Sequence, residues 1–411
     1  AKWLEESGIN TIATEVEENA DGTIASLTLN QTAPAEHPVL RPHRLAVGFY
    51  DEDPATGKIV RTDRFELDVD GESTVVAAAA GKKRPAFILV NDDDLTYTKL
   101  RFDADSLSFA LANLQRFDDA LARSVVWLSL WDMTRDGDLA AEKFIDTTLA
   151  LLATETESTT FRYALSCMST TAWHYTAPDR RADVVKHVAK ELWKLVIAAP
   201  GGSDQQFQLV TAYLGYGEEG DAEFAEHAQG LFDGSLIVAG LEIDNNFTWT
   251  IINALSSVKL IDQAGIDAQL AKRDTTENRE FALGAHAVRG DAAAKEWAWN
   301  EALNNADLTN MQLEAVARGF GATPRPDLAE PYAAKYYDVV DWVWKNKSFH
   351  MAEALLEGLY PYYADPATLV ELGHRWLADH EDADNALKRI VRGNVESSQR
   401  TLKVRDFNAA L

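Results

Sequence analysis

The spacing of apolar residues changes once along this 411-residue chain, and that change limits what the chain can fold into. Between residues 11 and 103, apolar and polar residues alternate, as at Phe65, Leu67 and Val69. A period of two is typical of strands with one buried face. After about Asp105 the period becomes roughly 3.6, which is typical of amphipathic helices. The sequence therefore predicts an α+β multidomain protein with its strands first and its helices afterwards.

Residues 11–103 are predicted to form an antiparallel β-sandwich domain. Residues that tolerate tight turns separate the alternating runs, at 19–22, 53–57 and 70–71. About seven short strands fit between these turns, and that number at this spacing is typical of a sandwich.

Residues 104–411 are predicted to form an all-α domain. Leu121, Val125 and Leu128 share one helical face, and breaks such as 323–326 interrupt the pattern. Roughly fourteen to sixteen helices fit, far more than one bundle can pack around one core. In HEAT and armadillo repeats each helix pair covers the apolar face of the next, which solves this problem. We therefore expect a superhelical repeat domain.

The net charge of −26 argues against a general affinity for nucleic acid or for an anionic membrane surface. No stretch approaches the roughly 18 consecutive apolar residues that a membrane span needs. The single cysteine, Cys167, lies in an apolar helical context and is interpreted as a core thiol. A single cysteine cannot form a disulfide within the chain. We therefore expect the protein to be in a reducing compartment, namely the cytoplasm.

Sequence motifs for catalysis are absent. A zinc peptidase needs two histidines one helical turn apart with a glutamate between them, and no two histidines here are four positions apart. There is no Gly-x-Ser-x-Gly motif, and Cys167 could act as a hydrolase nucleophile only if His174 reached it. We therefore assign no catalytic and no metal-ligating residue. Residues 215–220 superficially resemble a dinucleotide-binding loop but are expected to be a turn between helices.

One segment is basic although the chain as a whole is acidic. Residues 385–405 contain six basic residues and one acid, a net charge of 6 − 1 = +5. As a helix, this segment is predicted to turn Leu387, Ile390, Val391 and Val395 toward the core. Its basic residues either complement the C-terminal ends of helices or form a docking surface for a carboxylate or an acidic partner.

Several segments, in the right order, resemble the C-terminal region of the bacterial aminopeptidase N family of zinc metallopeptidases. Residues 3–11 resemble the segment that leaves the family's catalytic domain. Residues 87–101 are similar to its last sandwich hairpin, and residues 121–137 to the first helices of its C-terminal domain. By this resemblance, residues 1–10 are expected to be the end of a linker from a catalytic domain that the sequence does not contain.

The resemblance implies a division of labour within a longer protein. A zinc domain would remove N-terminal amino acids, while this chain, inactive alone and with no cofactor of its own, would enclose the substrate chamber. Its partners would be the missing N-terminal and catalytic domains and the peptide substrate. Arg389 and Arg392 are the expected substrate-binding residues, because guanidinium groups bind carboxylates bidentately. The alternative is a free-standing helical-repeat scaffold that binds a partner peptide.

Overall fold

The computed structural model describes residues 2–411, which begin with a short helix, α1 (Lys2–Glu5), followed by strands. The strands are β1 (Thr11–Glu18), β2 (Ile24–Thr32), β3 (His43–Glu52), β4 (Ile59–Val69), β5 (Ser73–Val75), β6 (Phe87–Val90) and β7 (Lys99–Arg101). They form two sheets, ordered β5-β2-β1-β7 and β4-β3-β6. The predicted first region of strands in two sheets is confirmed.

All the pairs between these strands are antiparallel except one. Strands β1 and β7 run parallel, with Thr11 opposite Lys99 and Ala13 opposite Arg101. Side chains alternate with the same period in parallel and antiparallel strands, so the sequence pattern did not indicate this pair.

Strand β3 is buried on both of its faces. Leu45 and Val47 on one face and Ala46 on the other have no exposed surface. The ring centroid of Tyr50, on the same face as Ala46, lies 5.5 Å from that of Phe117, which follows the strands in the chain. The second face of β3 is therefore covered by a residue from the helical part of the sequence.

Residues 2–171 form one compact unit with residue 411, and residues 172–410 form a second. In the first unit the strands are followed by α2 (Ala104–Asn113), α3 (Ala120–Asp136), α4 (Ala141–Leu152) and α5 (Ser158–Thr170). The last strand ends at Arg101, close to the expected change from strands to helices. The predicted domain limits themselves stay a prediction.

The second unit is helical. Its helices are α6 (Arg181–Ala198), α7 (Asp204–Leu214), α8 (Ala222–Asp233), α9 (Asn245–Ser257), α10 (Gln263–Lys272), α11 (Thr276–Ala287), α12 (Ala292–Asn304), α13 (Asn310–Gly321), α14 (Pro326–Ala329), α15 (Ala333–Asn346), α16 (Phe349–Gly358), α17 (Pro366–Asp379) and α18 (Asn385–Ala409). Residues 215–220 form the turn between α7 and α8, as expected. The superhelical repeat arrangement stays a prediction.

Aspartates begin many of the helices in this unit. Their carboxylates accept backbone N–H groups at the start of α8, α9, α10, α12, α17 and α18. A carboxylate at this position satisfies an otherwise unpaired donor and complements the positive end of the helix dipole. Part of the chain's acidity is therefore used to start helices.

Small residues set the spacing between α11, α13 and α16. A Cβ atom at Gly319 of α13 would lie 2.6 Å from the carbonyl oxygen of Gly284 on α11. A Cβ atom at Gly358 of α16 would lie 2.8 Å from the Cβ of Ala317 on α13. Close-packed interiors do not accommodate such approaches, so glycine is required where these backbones meet.

Over residues 2–411, no helix combines the length and the apolar character that crossing a membrane would require.

A matched pair of glycines tests the close packing of α17 against α18. A Cβ atom at Gly373 of α17 would lie 2.2 Å from Val395 Cγ2 and 2.7 Å from the Tyr337 hydroxyl oxygen. We expect Gly373→Ala to lower the free energy of unfolding by about 1–3 kcal/mol, because overpacking displaces these neighbours. Gly393→Ala on α18 is the control, since a Cβ atom there would meet nothing within 4 Å.

The control substitution is expected to raise the free energy of unfolding by about 0.5–1 kcal/mol, because alanine loses less backbone entropy in a helix than glycine does. The measurement is the midpoint of urea unfolding followed by circular dichroism. Effects of the same sign at both positions would contradict this account of the packing.

Candidate functional site

Metal ligands are not gathered anywhere in the part of the chain that the structure describes. Across residues 2–411, no group of three or more histidine, cysteine, aspartate or glutamate side chains is placed to hold a metal ion. The candidate sites described below are built from charged and polar side chains.

Cys167 is a core residue, as interpreted from the sequence. The residue is buried, and burial raises the pKa of its thiol to about 12. The thiolate is the nucleophilic form, and at neutral pH it is hardly populated at such a pKa. Cys167 is therefore not activated for catalysis.

Helix α18 carries the basic residues of the candidate site, and its apolar side is buried as predicted. Leu387, Ile390, Val391 and Val395 are each less than a tenth exposed. These four residues contribute to one core cluster that also contains residues of α12, α13 and α15 to α17.

Two buried polar residues on the same side of α18 fix its position. The Asn394 amide donates to the Tyr336 hydroxyl oxygen at 2.9 Å, and its carbonyl oxygen accepts from the Tyr362 hydroxyl at 2.9 Å. The hydroxyl oxygens of Tyr360 and Ser398 are 2.9 Å apart. Burial raises the pKa of Tyr336 far above its ordinary value, so its hydroxyl stays protonated and donates to the Leu356 carbonyl oxygen at 2.8 Å.

The two predicted substrate-binding arginines are both on the exposed side of α18. The Arg389 side chain is 70% exposed, and its Nη2 lies 3.3 Å from Glu353 Oε1. Arg392 is also exposed, and no residue in the described range pairs with its guanidinium group. Because exposed ion pairs contribute little, the contact with Glu353 leaves Arg389 available to a ligand.

Arg405 is another basic residue of α18. The sequence analysis counted it among the basic residues of 385–405 but did not predict it as a binding residue. It is only 8% exposed, and its Nε donates to the His174 carbonyl oxygen at 2.8 Å. Arg405 follows Leu387 by 18 residues, which is five turns of an α-helix, so both lie on the same side of α18. A helical projection would therefore have placed this arginine on the buried side.

A cavity of about 690 Å³ lies in the second unit, lined in part by the turn between α7 and α8. Glu219 is exposed at this cavity and accepts hydrogen bonds from Lys259 Nζ at 3.1 Å and Arg325 Nη1 at 2.8 Å. These contacts, that of Lys259 first, lower the pKa of Glu219.

Glu218 lies beside Glu219 in the same cavity but has a different environment. Burial raises the pKa of Glu218, and the negative charge of Asp221 raises it further. A carboxyl group with a raised pKa in a cavity is a common feature of binding sites, although structural networks also produce it. The cavity can offer a ligand this carboxyl group and the Trp173 ring, which also lines it.

Comparison with known proteins identifies the class to which this chain belongs. Residues 87–400 match the model of the ERAP1-like C-terminal domain family, so the chain belongs to that family. The chain is also 34% identical over 414 aligned residues to a protein from Streptomyces lividans named aminopeptidase N. The alignment covers 99% of this chain and 48% of the relative, so the chain spans about half the relative's length. The resemblance to the C-terminal region of the aminopeptidase N family is confirmed.

The buried amide of Asn394 can be tested for its part in fixing α18. Asn394→Ala is expected to lower the free energy of unfolding by about 1–3 kcal/mol, because the hydroxyls of Tyr336 and Tyr362 lose a buried partner. Asn346→Ala is the control, since the exposed Asn346 amide only donates to the Trp342 carbonyl oxygen at 2.8 Å. Thermal unfolding followed by circular dichroism measures both. A control that costs as much as Asn394→Ala would rule out this role.

Proposed function

We propose that this chain is the part of an aminopeptidase that encloses the substrate chamber and helps to bind the peptide. The parent protein would remove N-terminal amino acids from peptides, with a zinc centre in domains that this chain does not contain. The name of the Streptomyces lividans relative and its additional length support this proposal. The sequence supports it too, because no two histidines are spaced to share a zinc ion on one helix.

The partners in this proposal are the N-terminal and catalytic domains of the same protein and the peptide substrate. The expected cellular location is the cytoplasm, because the single cysteine, Cys167, is a buried core thiol and not part of a disulfide.

The exposed side of α18 is the proposed contact with the peptide's C-terminal carboxylate. Arg389 and Arg392 are three residues apart in one helix, so their side chains are neighbours on its surface. The observation that carries this proposal is that Arg392 is exposed and unpaired within the described chain, beside an arginine held by a single weak contact. In a protein of net charge −26, an exposed cationic pair is a distinctive place for a carboxylate to bind.

The isolated chain provides the first test. We expect it to hydrolyse neither alanine p-nitroanilide nor a tripeptide in the presence of added zinc, because it has no residues spaced to bind and activate a zinc-bound water. The full-length protein that contains this chain should hydrolyse both. Release of p-nitroaniline and of free amino acid is the measurement. Zinc-dependent turnover by the chain alone would refute the proposed division of labour.

A double substitution in the full-length protein tests the role of the two arginines. We expect Arg389→Gln with Arg392→Gln to raise KM for a peptide with a free C-terminus by about two- to tenfold, the effect of losing one or two exposed ion pairs. The kcat should not change, because neither residue would touch the scissile bond. KM for the same peptide with an amidated C-terminus should also stay unchanged.

Arg279→Gln is the matched control for this experiment. Arg279 is exposed on α11 and pairs with Asp274 at 2.6 Å, so its replacement also removes one surface arginine and one ion pair. If the double variant changed KM for the free and amidated peptides equally, or changed neither, the two arginines would not be carboxylate ligands.

A further inference from the structure

Two arginines of the second unit act on His174: Arg405 Nε donates to its carbonyl oxygen at 2.8 Å, and the charges of Arg405 and Arg181 both lower the pKa of its ring. Arg405 is at the C-terminal part of α18, and Arg181 is the first residue of α6 and is partly buried. Burial lowers the pKa of Arg405 to about 10, and the second cause is the positive charge of Arg181. The two guanidinium groups are therefore near enough to repel each other.

Each guanidinium group has a buried donor without an acceptor. Arg405 Nη2 and Arg181 Nε are both buried, and neither has a hydrogen-bond acceptor among residues 2–411. Within the same range, no carboxylate forms an ion pair with either arginine. A buried cation without an acceptor or a counter-charge is costly, and a second cation beside it increases that cost.

Two acidic groups act on these arginines by their charge, and neither forms an ion pair with them. Asp365 raises the pKa of Arg405 only by its charge, while its carboxylate caps α17 by accepting the Thr368 N–H at 2.9 Å. The negative charge of Glu218 likewise raises the pKa of Arg181, without a hydrogen bond between the two side chains. Neither carboxylate therefore serves as the missing counter-ion.

The aromatic neighbours are electrically neutral. Burial lowers the pKa of His174 to about 3, and the charges of Arg405 and Arg181 lower it in the same direction. Its ring stacks on that of Tyr363, with centroids 4.7 Å apart. Burial raises the pKa of Tyr363 to about 12, so this residue is neutral as well at pH 7. Neither ring therefore supplies a negative charge to the two arginines.

We propose that Arg181 and Arg405 together bind one carboxylate group, next to the stacked rings of His174 and Tyr363. Guanidinium groups present N–H donors in a planar fork that matches the two oxygens of a carboxylate. A single negative charge fits better than a phosphate, because Glu218 is nearby and the chain as a whole carries −26. The ligand is either the end of a peptide or a free small carboxylic acid.

This site is separate from the exposed pair on the same helix. Arg405 follows Arg389 by 16 residues, which turns it by about 160° around the axis of α18. Carboxylate binding at Arg181 and Arg405 is independent of the proposed function, because it concerns the 411-residue chain itself and requires no turnover.

The test is a titration of the chain with sodium acetate in chloride-free buffer, followed by isothermal calorimetry and by the midpoint of thermal unfolding. We expect saturable binding at one site, and an increase of the unfolding midpoint that levels off at the same concentration. Chloride at equal concentration should bind more weakly, since a spherical ion cannot accept two parallel hydrogen bonds from a guanidinium group as a carboxylate does. Absence of saturable acetate binding, or equal binding of chloride, would overturn the proposal.

Substitutions identify the residues involved. Arg181→Gln is expected to weaken acetate binding by about ten- to a hundredfold, the effect of losing charge-assisted hydrogen bonds. Without acetate, this variant should unfold at a higher temperature than the wild type, because the repulsion with Arg405 is gone. A merely structural arginine would have the opposite effect. Arg405→Lys keeps the charge but removes the fork, and should also weaken binding.

Arg279→Gln is again the control and should bind acetate as the wild type does. Two peptides separate the possible sources of the carboxylate. A dipeptide with a free C-terminus that binds more tightly than acetate indicates a peptide end, and one that binds no more tightly indicates a free acid. Unchanged acetate affinity in Arg181→Gln, or binding of the amidated dipeptide as tight as that of acetate, would refute the assignment.

Discussion

The hydrogen bonds of the buried Asn394 side chain fix the rotation of α18, and that rotation decides which arginines face solvent. The amide donates to Tyr336 on one side and accepts from Tyr362 on the other, so rotating the helix would break both hydrogen bonds and leave the buried Asn394 amide without these partners. At about 100° per residue, a shift by one position would carry the exposed Arg392 toward the core and Arg405 toward solvent. The close approach of α17 at Gly373 acts in the same direction, because Val395 of α18 lies against the glycine. Apolar packing alone would tolerate small rotations, whereas these directional contacts do not.

Periodicity predicted much of this architecture and failed where two faces of an element are chemically alike. The alternation at Phe65 and Leu67 predicted strand β4. The helical spacing of Leu387 and Val391 predicted the buried side of α18. On α3 the shared face of Leu121, Val125 and Leu128 is not uniformly covered, since Leu121 and Leu128 are 46% and 41% exposed while Val125 is buried. That helix is apolar around most of its circumference, so spacing could not show which side is covered.

The arginines of α18 also differ in how far the sequence predicted them. Arg389 and Arg392 were predicted from local charge and stay a prediction. Helical spacing could have placed Arg405 on the buried side, but its contact with His174, far away in the sequence, is visible only in the structure.

Buried cations in the second unit are accommodated in two different ways. Lys295 is 2% exposed, and burial lowers its pKa to about 7. Its ammonium group donates to the Ala287 carbonyl oxygen at 2.6 Å and to that of Phe320 at 3.2 Å, which lie at the C-terminal ends of α11 and α13. The negative ends of two helix dipoles thus replace a carboxylate partner. Arg181 and Arg405 have no such arrangement, since Arg405 donates to a single carbonyl oxygen and buried donors of both remain without acceptors in the described chain. In the proposal made above, a ligand supplies the missing acceptor.

The surroundings of the two arginine pairs on and near α18 suit them to different tasks. At Arg389 and Arg392 the side chains are surrounded by water, where an ion pair contributes at most about 1 kcal/mol and salt weakens it. Such a surface can guide and loosely hold the end of a flexible peptide without slowing its release. At Arg181 and Arg405 the surroundings are of lower polarity, so each charge-assisted hydrogen bond is stronger and a mismatched ligand is penalised more. Selectivity for a carboxylate therefore belongs to the buried pair. Because the same helix carries Arg389, Arg392 and Arg405, anything that moved α18 would alter both places together.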